Sequence, residues 1–106
     1  MEQDKQPKYD LTIRIAGNAE IPCFSAVKAK GYKVTLTHFQ DSEYSDWKAE
    51  KDNRLFSATN PVELLGLIAM WEVLGDDWRV NGNSRADRAA YDEVCNNAPE
   101  YSQDEE

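Results

Sequence analysis

Apolar and polar residues alternate through residues 9–16, "YDLTIRIA", with Leu11, Ile13 and Ile15 on one side and Asp10, Thr12 and Arg14 on the other. A period of two is that of a half-buried strand, so this segment predicts the first one. A second alternation, Tyr32, Val34, Leu36 and His38, predicts another strand over 32–39. Two shorter strands are expected within "DWKAEKDNRLFSA", residues 46–58, joined at Asp52-Asn53, a dipeptide suited to a two-residue hairpin turn.

Helical signals fill the intervals. Between the first two strands, Asn18 is the expected N-cap, Pro22 falls in a first turn that tolerates its missing N–H, and Gly31 follows a Lys-rich end. Asn60, Pro61 and Glu63 stand at the cap, first and third positions of a second helix that should stop near Gly75. Residues 76–84 read as a loop. Ser84 with Asp87 then caps a third helix whose apolar face, Ala86, Ala89, Ala90, Tyr91 and Val94, is thin enough to place it at the periphery. These elements give the order β-α-β-β-β-α-α over residues 9–96, an α+β fold in one two-layer domain with an antiparallel sheet backed by helices. Residues 1–8 are expected to form a flexible lead, and 97–106 an acidic disordered tail.

The second helix raises a question of coverage. Glu63 and Glu72 lie nine residues apart, about 180° from each other on a wheel of 100° per residue. Leu64, Leu65, Leu67, Ile68, Met70, Trp71, Val73 and Leu74 occupy the angles between them, with Leu67 and Ile68 expected in the core. A surface helix buries a single stripe, so a further element must cover the remainder: the third helix, a second copy of the chain, or another protein. At its end Glu72, Asp76, Asp77 and Trp78 emerge together, and acids near a helix C-terminus oppose the macrodipole. A second cluster, within residues 38–47, interleaves Asp41, Glu43 and Asp46 with Phe39, Tyr44 and Trp47. Acids that select a basic partner beside aromatics that supply contact area make both clusters candidate protein-binding surfaces. Solvated loops with their aromatics turned inward are the alternative for each.

Charge sharpens the picture. The 106 residues carry a formal net charge of −8, and the second half holds nearly all of it: residues 1–53 have eight basic and nine acidic side chains, residues 54–106 four and eleven. Such a balance disfavours nucleic acid and anionic membranes and favours a basic protein partner. The N-terminus has no apolar signal region, and no uncharged run approaches membrane-spanning length, so a cytoplasmic protein is expected. Two cysteines without CxxC spacing, Cys23 and Cys95, suggest neither a disulfide framework nor a metal site. His38 is the only histidine, which removes multi-histidine zinc sites and histidine triads. No catalytic residue, metal or cofactor is expected.

The run helix, three strands, helix over residues 19–74 is similar in order to double-stranded RNA-binding domains. That family places lysines at the start of its last helix to grip phosphates, whereas Asn60-Pro61-Val62-Glu63 stand at the matching positions here. The strand pair followed by "SATNPVELLGLIAMWEV" resembles small acidic bacterial immunity proteins and antitoxins, compact α+β domains that neutralise a toxic enzyme by occluding it. The resemblance spans residues 9–95 in architecture and composition. It implies a non-catalytic module that occludes a basic partner. A further resemblance, to small phage or mobile-element regulatory proteins, implies instead self-association through the helix at 61–75, as a homodimer.

Overall fold

The computed structural model describes residues 8–15 and 17–99. The expected lead and tail lie outside these, apart from Lys8 and residues 97–99. The structure is a small α+β domain with the element order α1 (Glu20–Ala29), β1 (Lys33–His38), β2 (Ser45–Lys51), β3 (Arg54–Ala58), α2 (Pro61–Leu74), α3 (Trp78–Asn81) and α4 (Arg85–Asn96). The chain divides into two compact units, Met1–Leu65 and Gly66–Glu106, with the boundary inside α2.

In the first unit the three strands form one antiparallel sheet in the order β1-β2-β3. Asp52 and Asn53 both adopt positive φ, 51° and 64°, as the central residues of a type I′ hairpin turn do. This turn sets Lys51 opposite Arg54, and the register then brings Val34, Ala49 and Phe56 into one row on one face. On the other face Lys33, Glu50 and Leu55 share a row. The core gathers on the first face: Val27, Tyr32, Ala49, Phe56 and Leu64 are buried, and Tyr32 meets Phe56 edge to face at 5.8 Å. Gly31, at φ +96°, ends α1 in the left-handed region that a side chain resists, and its N–H donates to the Lys28 carbonyl. Lys51 fastens this corner from β2, donating to the Lys30 carbonyl at 2.6 Å with its ammonium over the Tyr32 ring.

Two expectations for this unit need correction. Residues 9–15 form no strand, and Leu11, Ile13 and Ile15 remain 73%, 78% and 56% exposed. Alternation selects a face, but a strand exists only through hydrogen bonds to a neighbour. β1, β2 and β3 reach theirs through short hairpin connections, whereas residues 9–15 would have to pair in parallel across α1. Asn18 is also not the cap of α1: Ala19 holds that position, without a side-chain hydrogen bond.

α2 begins as its sequence requires. The Glu63 N–H donates to Asn60 Oδ1 at 2.8 Å, while the Glu63 carboxylate accepts from the Thr59 hydroxyl instead of reaching back to the cap backbone. Along the helix only Pro61, Leu64 and Ile68 are buried. Leu67 is half-buried, against the expectation of a core position, because it lies one residue off the stripe that Leu64 and Ile68 form at i, i+4. In the second unit, Asn81 donates through its side-chain amide to the Leu74 carbonyl, closing the end of α2 beside Gly75 at φ +85°. The expected loop at 76–84 contains the single turn α3, whose Val80 and Asn81 N–H groups donate to the Asp77 carbonyl. One turn is too short for a periodic signal to reveal it.

α4 carries the capping box expected from Ser84 and Asp87. The Ser84 hydroxyl and, after it, the Ser84 N–H hold the Asp87 carboxyl below its usual value of 3.8. Every residue of α4 is exposed, including Tyr91 and Val94, so this helix leans on its cap more than on packing. The folded-state pKa is depressed, so the cap's contribution is complete above the unfolded value and is lost as pH falls through the folded one. Helicity, followed by circular dichroism, should therefore fall slightly as pH drops through the depressed folded-state pKa of Asp87, and that step should be absent in Asp87→Asn.

Candidate protein-binding loop

The connection between β1 and β2, residues 39–44, reads Phe-Gln-Asp-Ser-Glu-Tyr and contains no basic side chain. It is closed locally. The Phe39 N–H donates to the Tyr44 carbonyl at 3.4 Å, the Tyr44 N–H donates to Ser42 Oγ at 2.9 Å, and Asp41 turns the chain at φ 60°. At its base Ser45 Oγ and His38 Nδ1 are 3.1 Å apart, an interaction that gives the histidine a structural partner. Asp41 and Glu43 are exposed, and so are the two rings that flank them, Phe39 at 46% and Tyr44 at 65%. Both carboxylates thus stand between two exposed aromatics on a loop whose ends are tied to paired strands.

Asp46 and Trp47 follow on β2 and separate, because successive side chains of a strand point to opposite faces. Asp46 accepts from the Ser57 hydroxyl on β3 and lies 3.7 Å from the Lys48 ammonium. Its charge is answered within the sheet. Trp47 is half-buried and meets Phe24 of α1 edge to face at 6.0 Å. Beside them opens an apolar hollow of about 130 Å³ lined by Glu20, Ile21, Phe24, Trp47 and Pro61. Ile21 and Phe24 enter it by their i, i+3 spacing on α1, a signal too common in helices to single them out from sequence.

The second candidate cluster lies in the other unit, where local structure engages several of its members. Asp76 accepts the Trp71 indole N–H at 2.7 Å. Asp77 occupies the N-cap position of α3, without a side-chain hydrogen bond to it. Trp78 is half-buried, with the Arg79 guanidinium 4.6 Å over its ring. Glu72 and Asp77 remain exposed.

Among the described residues no group of three His, Cys, Asp or Glu side chains is placed to hold a metal ion, and Cys23 and Cys95 are free thiols. Among the same residues no helix is long and apolar enough to cross a membrane. Comparison with protein families, with curated proteins and with solved structures gives no match.

Proposed function

We propose that this chain is a non-catalytic protein-binding module whose β1–β2 loop seats on a basic surface of its partner. The observation that carries this reading is the pairing of exposed Asp41 and Glu43 with exposed Phe39 and Tyr44 on a closed loop free of basic side chains. Aromatics on such a loop supply contact area at low cost in conformational freedom, and uncompensated carboxylates attract cations and repel anions. The net charge of −8 extends that attraction beyond contact distance. An immunity or antitoxin role, in which the module occludes a basic cleft of a toxic enzyme, is the most concrete form of this function.

Affinity capture from the source cell, run side by side with wild type and with Asp41→Lys/Glu43→Lys, tests it. A basic protein retained by the wild type and absent from the variant is the expected outcome. Identical captured proteins, or an acidic one, would remove the loop from the interface. Asp76→Asn/Asp77→Asn in the same experiment should retain the partner, because both residues lie outside the β1–β2 loop and Asp76 already accepts from the Trp71 indole.

A further inference from the structure

Residues 9–15, Tyr-Asp-Leu-Thr-Ile-Arg-Ile, lie outside the sheet with Tyr9, Leu11, Ile13 and Ile15 exposed. Their order is complementary to itself when reversed. With two copies antiparallel and Thr12 opposite Thr12, Leu11 faces Ile13, Tyr9 faces Ile15, and Asp10 faces Arg14, each contact occurring twice. Directly opposed residues of an antiparallel pair share a face, so the four apolar side chains of each copy line one side and the two ion pairs the other. A two-fold interface requires this reciprocity, in which residue i meets j and j meets i.

We propose that two copies of this chain pair through Tyr9–Ile15 as an antiparallel ribbon centred on Thr12. The proposal is independent of the loop reading. A two-stranded ribbon is marginal by itself and needs a cover for its apolar side. The exposed Ile21 and the apolar hollow it lines with Phe24, Trp47 and Pro61 begin six residues after Ile15, in the same compact unit, and offer that cover.

Charge reversal tests the register. Asp10→Arg alone sets Arg opposite Arg14, and Arg14→Asp alone sets Asp opposite Asp10, so each variant should dimerise about tenfold more weakly or worse by sedimentation. An equimolar mixture of the two should form heterodimers, since every opposed pair then carries opposite charge, and the double variant should dimerise as wild type does. Unchanged circular dichroism will separate these effects from unfolding. With Cys23 and Cys95 replaced by serine, Thr12→Cys should also form an intermolecular disulfide on oxidation, since opposed Cα atoms about 4.5–5.5 Å apart suit that bond. A monomeric wild type would overturn the proposal. So would single reversals that dimerise normally, as pairing through α2 would allow, or a mixture that stays monomeric.

Discussion

Ile68→Ala and Leu64→Ala should each lower the free energy of unfolding by about 2–5 kcal/mol, measured by urea denaturation. Ile68 is fully buried and Leu64 is 1% exposed, so truncation removes apolar contacts and leaves a cavity that close-packed neighbours fill only in part. A domain of this size has about 5–15 kcal/mol in total, which makes either loss a large share of it. Leu67→Ala should cost less, because Leu67 keeps part of its surface in water in the folded state. Val73, 81% exposed near the end of the same helix, should tolerate alanine within about 0.5 kcal/mol. Equal losses at Val73 and Ile68 would show that the whole apolar circumference of α2 is covered in solution, as a helix pairing with a second copy would require.

The second large effect is expected at the β1–β2 loop. Asp41→Lys/Glu43→Lys should weaken partner binding by about tenfold to a hundredfold, chiefly through slower association, since exposed charges act on encounter over a distance. Tyr44→Ala should act on the other rate: loss of its contact area speeds dissociation and leaves encounter nearly unchanged. Tyr44→Ala should leave stability nearly unchanged, because the side chain is exposed and the loop is held by the Phe39–Tyr44 backbone hydrogen bond and by Ser42, whereas Asp41→Lys should cost about 1 kcal/mol, since Asp41 stands at φ 60°, where lysine is less at ease than aspartate.

Much of this architecture is written in short-range signals. Asp52-Asn53 sets the hairpin, Asn60-Pro61 starts α2, and Ser84 with Asp87 starts α4, each through hydrogen bonds or dihedral angles within a few residues. Residues 9–15 carry as clear a pattern as β1, yet they form no strand, because alternation chooses a face and does not supply a hydrogen-bonded neighbour within the chain. The same limit applies at the candidate sites. Composition exposes the acids at 41, 43 and 46, but that Asp46 is answered by Ser57, eleven residues away, follows from the strand register. Likewise the turn after α2 brings Asp76 to the Trp71 indole and leaves Asp77 to open α3. The all-apolar appearance of α2 conceals its buried stripe, because at helical spacing Leu67 and Ile68 look alike until the facing surface is known.

The central claim, that exposed carboxylates on a closed loop select a basic protein, is tested most directly by association kinetics. The captured partner should be measured against wild type and Asp41→Lys/Glu43→Lys at low and high salt. For the wild type, the association rate should fall steeply as salt is raised, because screening shortens the reach of the carboxylates. For the variant it should be slow at low salt and flat or rising with salt, since like charges then face each other. Equal association rates and equal salt slopes for the two proteins would contradict the claim and leave Asp41 and Glu43 as solvated positions of a hairpin loop.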